Sequence, residues 1–184
     1  MTLPAPTVRV LVCGTADRGD DGAALAAVAH LLPRLEPDLR TRVEIRRCPQ
    51  LDATDLIDVA DHEACLILDT AMGIEAGAIV TLPLTELACA GAQPMPRSSH
   101  ALPIQQVLGI AEAVRGSLPT GSFVGIGGRW FGYGTRFSRA VRLGIPCLED
   151  AVLAEIQRLA GPIAAPGSDA EATGSARLVG AGRP

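Results

Sequence analysis

The chain has 184 residues and a mass of 19.0 kDa, one domain's worth of sequence, long enough to bury a core without disulfides. Apolar residues make up 48% and charged residues 20%, the balance of a globular protein rather than a disordered one, and no apolar run approaches the roughly 20 residues of a membrane span. A net charge of −4 and a pI near 5.3 disfavour non-specific nucleic-acid binding.

Two absences narrow the chemistry further. All 16 basic residues are Arg, which removes a phosphate-loop lysine, a Schiff-base lysine and a lysine general base together. The sequence contains no Asn and so no N-glycosylation acceptor. Five Cys, with no CxxC and no pair at zinc spacing, read as buried small hydrophobes of a reducing cytoplasm. The opening MTLPAPTVRVLV has no basic segment ahead of an apolar one, so no secretory signal is expected.

In chain order, Val8–Cys13 (VRVLVC) is a β-branched apolar strand, and the polar loop TADRGDD follows it after Gly14. Gly22–Leu32 reads as a helix, with Asp20 and Asp21 placed to cap its positive end. Residues 42–47 alternate as a second strand, and residues 51–60 hold a short helix. ACLILD is a fully buried strand ending on Asp69. Residues 78–82 form another strand, residues 85–92 fit helix or strand equally, and AGAQPMPRSSH is a loop. Residues 102–115 carry apolar side chains at helical spacing, and residues 122–126 are a strand. GGRWFGYGT then gathers Trp130, Phe131 and Tyr133, three of the five aromatics, in a loop whose glycines predict mobility. A helix starts at Ser138, and residues 146–159 continue or restart it. Residues 161–184 are small, polar and Pro/Gly-rich, expected to be a disordered tail behind a single domain over residues 1–160.

Strands alternating with helices predict an α/β fold: a three-layer α/β/α sandwich around a mostly parallel, twisted sheet of about five strands. Sites in such sheets lie beyond the carboxyl ends of the strands. Three side chains stand there: Asp21 after the first strand, Asp69 at the end of the most apolar one, and His100 before a helix. Each has a plain structural reading, as a cap or a turn residue. Two carboxylates and an imidazole also suit a borderline divalent metal with open positions. No GxSxG elbow and no Cys–His pairing supplies an acyl-enzyme nucleophile.

The order of these blocks resembles the hydrogenase maturation endopeptidases, which trim the C-terminal extension of nickel–iron hydrogenase large subunits. VRVLVCGTADRGDDG is similar to their opening strand and its D-[DE]-G step. CLILDTAMGIEAGAIVTLPL resembles their buried strand ending in Asp, and SSHALPIQQVLGIAEAVRG their Ser–x–His before a helix. FVGIGG and FSRAVRLGIPCLEDAV resemble the closing strand and helix, so the likeness runs from Val8 to Leu159.

The resemblance implies that Asp21, Asp69 and His100 contact nickel already held by the precursor, so that the substrate supplies the metal. It implies a cytoplasmic peptidase with a [NiFe]-hydrogenase large-subunit precursor as partner, and neither nucleic acid nor membrane. Val12 and Thr15 stand where the family pattern has Gly and Asn. Residues 47–52 (RCPQLD) differ from the usual substrate-recognition stretch and are similar to a subgroup serving soluble hydrogenases. Three other uses of these residues stay open. They are a non-proteolytic nickel-sensing module, a flavin or nucleotide binder, and partner docking through the glycine-aromatic loop.

Overall fold

β-Branched and apolar residues with no room for solvent make β1 (Val8–Cys13) a central strand, buried along nearly its whole length. A computed structural model describes residues 7–89, 97–98 and 102–161. After β1 come a one-turn helix over Gly19–Gly22 and α1 (Ala23–Leu31). The chain continues through α2 (Pro37–Arg40), β2 (Val43–Cys48), α3 (Ala53–Ile57), β3 (Ala64–Met72), β4 (Ile79–Pro83) and α4 (Leu84–Cys89). A two-residue β5 (Arg97–Ser98), α5 (Ile104–Arg115), β6 (Gly121–Gly127) and α6 (Arg139–Ala160) complete it.

The sheet order is β2-β1-β3-β6-β4, with β5 added to β3. β2, β1, β3 and β6 run parallel and β4 is antiparallel to β6. The expected mostly parallel sheet of about five strands is therefore present. Alternate residues of the central strands feed two cores. Val8, Val10, Val12, Leu66, Leu68, Val124 and Ile126 face α1 and α6. Leu11, Cys13, Cys65, Ile67, Ala71 and Phe123 face α3, α4 and α5. Each large side chain sealed between these layers contributes about 1.5–3 kcal/mol.

Two local expectations resolve here. Residues 84–89 are helical, with Leu84 and Leu87 buried at helical spacing. Pro146 does not restart the last helix: α6 is one 22-residue helix with Pro146 inside it. Pro146 and Arg142, one turn earlier, are both exposed, so the carbonyl deprived of its partner lies on the solvent side. The tail expected over residues 161–184 falls, but for Gly161, outside the described residues. Among the described residues no helix is long and apolar enough to cross a membrane.

Candidate active site

The carboxyl ends of β1, β3 and β6 open onto one edge of the sheet, and three connections meet there. Gly14 turns the chain off β1 at φ +113°, a conformation that favours glycine. A Cβ at that position would sit 2.1 Å from the Asp21 carbonyl oxygen, so the turn closes directly onto the Asp20–Asp21 step. Asp21 is 4% exposed, and its Oδ2 accepts the Thr15 backbone N–H at 2.8 Å. The backbone of residue 15 makes this bond, so the bond does not depend on the side chain at that position.

Asp69 is 2% exposed and lies on β3 one step beyond the Val12–Leu68 pair, opposite Gly125 of β6. Its Oδ1 accepts the Thr70 backbone N–H at 2.7 Å. Strand alternation turns Asp69 toward the α3–α5 layer, the side of Cys13. Burial pushes the Cys13 thiol up, and the Asp69 charge pushes it further. Cys13 is thus a neutral packing residue and not a nucleophile. β3 does not end on Asp69 but runs on to Met72, so Asp69 lies within the strand, and Asp21 lies on the one-turn helix after β1; both sit on the carboxyl-end side of the sheet.

His100 lies outside the described residues. Its neighbours are informative, however. Ser98 pairs with Ala71 and Arg97 with Met72, two positions beyond Asp69. Ala71 also pairs with Gly127 on β6, so β5 occupies the other edge of β3, the one β1 uses up to Leu68. The segment leading to residue 100 is thus fastened to the strand that carries Asp69. Among the described residues no three His, Cys, Asp or Glu side chains are grouped to hold a metal ion.

Asp20 has a different task from its neighbour. It is fully buried, and its carboxylate accepts three backbone N–H groups. Oδ2 takes Arg129 and Trp130, both at 2.9 Å, and Oδ1 takes Ser138 at 2.6 Å. Its own backbone N–H donates to the Trp130 carbonyl at 2.8 Å, and its carbonyl accepts Thr70 Oγ1 at 2.8 Å. One side chain thus ties the β1–α1 turn to the β6–α6 loop and to the start of α6, where Ser138 is the cap.

The same two loops are laced by Gly19 N–H to Gly134 O and Gly134 N–H to Asp17 O, both 2.7 Å. Gly19, at φ +58°, leaves room for the Trp130 ring, which a Cβ would meet at 2.2 Å. Arg18 lies over the Tyr133 ring, 5.1 Å from its centroid. The glycine-aromatic loop expected to be mobile is instead fastened by these bonds, a result of pairing with a loop more than 100 residues away in sequence. Trp130 remains 42% exposed and Tyr133 81% exposed.

The other two histidines play no part here. His30 Nδ1 is 3.1 Å from Glu149 Oε1, joined by Arg34 at 2.7 Å from Oε2, and His62 is exposed.

No protein-family model matches the chain, and no curated protein matches it. Solved structures do. The hydrogenase maturating endopeptidase HybD from E. coli superposes with a TM-score of 0.63 at 22% identity, over 80% of this chain and 90% of that one. The solution structure of an endopeptidase from Escherichia coli gives 0.62 at 22% identity, over 82% and 93%. The [NiFe] hydrogenase maturation protease HybD from Thermococcus kodakarensis gives 0.58 at 20% identity, over 82% and 99%. The chain has the fold of the hydrogenase maturation proteases across nearly the full length of those proteins.

Proposed function

We propose that the chain is a hydrogenase maturation endopeptidase that removes the C-terminal extension of a nickel-loaded [NiFe]-hydrogenase large-subunit precursor. The observation that carries this reading is the pair of buried carboxylates, Asp21 on the turn after β1 and Asp69 on the neighbouring β3, on the carboxyl-end side of the sheet in that fold. Two carboxylates with an imidazole suit a borderline divalent cation with open coordination positions. The precursor's nickel, already held by its own cysteines, is that cation. Asp21, Asp69 and His100 contact it, so an empty precursor offers them nothing to bind. This makes the site a reader of metal loading.

The chemistry follows from the placement. The ion acts as a Lewis acid on the scissile carbonyl. One water is consumed: its oxygen ends on the new carboxylate, and the leaving amine takes up a proton as the C–N bond breaks. Thr15 and Thr70 N–H groups hold the two carboxylates in place, and Asp20 fixes the loop beside them.

The test is the intact mass of nickel-loaded and apo precursors after incubation with the protein. The expected outcome is loss of a C-terminal peptide from the loaded form alone. His100→Ala is expected to abolish that loss while leaving the far-ultraviolet circular dichroism and the melting temperature unchanged. Processing by His100→Ala at the wild-type rate would overturn the site assignment. Binding without any mass loss would instead mark a metal-sensing module.

A further inference from the structure

We infer that the β6–α6 loop and the first turn of α6 form a docking surface for an acidic face of the precursor around its scissile segment. This rests on the reading above and names the part of the protein that grips the substrate. Residues 127–142 hold four Arg and no Asp or Glu, while the rest of the chain holds 12 Arg against 20 acidic residues. The chain is acidic overall, so this basic stretch is a local reversal of sign.

Arg129, Arg136, Arg139 and Arg142 are all exposed, and Arg18 joins them by stacking on Tyr133. Among the described residues none of these five is in an ion pair. Arg9, Arg34, Arg46, Arg115 and Arg158, by contrast, are each paired with a carboxylate. Among the described residues no carboxylate neutralises the patch. Arg139 lies in the first turn of α6, where a positive charge opposes the helix dipole.

Trp130, Tyr133 and Leu143 are exposed among these arginines. Aromatic rings interleaved with Arg are the composition of a protein-binding hot spot. The position selects the partner. Asp20 holds the Trp130 and Arg129 amides beside the Asp20–Asp21 step, so whatever docks on the patch is led to the two carboxylates. The buried acids beside it are a poor neighbour for a polyphosphate backbone and suit a protein that brings its own cation.

The experiment measures binding and processing of nickel-loaded precursor by wild type, Arg136→Glu and Arg40→Glu. Arg40 is exposed and lies on α2 ahead of β2, at the opposite end of the strands, so both variants change net charge equally. The expected result for Arg136→Glu is a Kd and KM raised about fivefold at about 50 mM salt, shrinking toward wild type at about 500 mM. Arg40→Glu is expected to stay within about twofold of wild type at both salt concentrations. Equal effects from the two variants, or none from Arg136→Glu, would overturn the assignment. Tighter binding of wild type to a random-sequence DNA oligonucleotide than to the precursor would overturn it as well. Salt-sensitive, Arg136-dependent binding without cleavage by wild type would uphold the surface and remove the protease reading.

Discussion

Adjacent aspartates with nearly equal burial do opposite jobs at the residue scale. Asp20 is saturated by three backbone N–H groups on a loop and a helix start. Asp21 accepts the Thr15 N–H on its own turn and lies on the same carboxyl-end side of the sheet as Asp69. The difference is testable by isosteric change. Asp20→Asn puts an amide NH₂ against either the Ser138 N–H or the Arg129 and Trp130 N–H pair, donor facing donor. Such a loss among buried charge-assisted bonds is expected to cost about 2–3 kcal/mol in urea denaturation. Asp21→Asn is expected to abolish precursor processing, read as intact mass. A stability loss in Asp20→Asn below about 0.5 kcal/mol would show that the clamp contributes little.

At the scale of elements, α3 shows how a short helix is held. Asp52 accepts the Thr54 N–H at 2.9 Å, and Asp55 Oδ2 accepts the Asp52 N–H at 3.0 Å, a reciprocal cap. Helical periodicity alone puts Asp55 on a solvated face, but it is buried and 3.5 Å from Arg46 on β2. The Cys48 thiol also bonds to it, and burial followed by the Asp55 charge pushes that thiol up to about 12. Asp55→Ala is therefore expected to cost about 1–2 kcal/mol in thermal or urea unfolding. Glu112→Ala, exposed on α5, is expected to cost less than about 0.5 kcal/mol. Equal melting temperatures for the two variants would contradict this account of the cap.

For the whole molecule, the cysteines report on the packing of both layers. Cys13, Cys48 and Cys65 are buried, while Cys89 and Cys147 are exposed, so the expectation of buried thiols holds for three of five. Native protein is expected to react at two thiols with a soluble disulfide reagent and at five after unfolding. Burial raises Cys65 from 9.0 to about 12 as well. A raised folded pKa means the native state holds the proton that the unfolded chain gives up. That stability is fully present below pH 9 and is lost as pH climbs toward 12. Urea titrations between pH 8 and 11, about the unfolded thiol range, are expected to show falling midpoints. Replacing Cys48 and Cys65 by Ala should lessen that slope, with Cys13 still contributing, and an unchanged slope would assign the alkaline loss to other groups.

Hydrophobic run length and β-branching were enough to read β1, β3 and β6, because strands buried on both faces leave a local mark. The same marks put Asp69 on the buried β3 and Asp21 on a β1–α1 turn, and the order of the blocks pointed to the protease fold, but the strand runs three residues past Asp69, to Met72, and pairs there with β5 and β6. What the sequence did not carry was contact between segments far apart. The three bonds to Asp20 span 109, 110 and 118 residues. β5 is two residues long and exists because β3 extends past β1 and offers it an open edge. The glycine-aromatic loop reads as mobile from its own composition, and only the opposing turn, with Gly19 making space for Trp130, holds it still. Local composition sets what a segment can become. Long-range hydrogen bonds and close approaches decide what it does, and those exist only once the strands lie side by side.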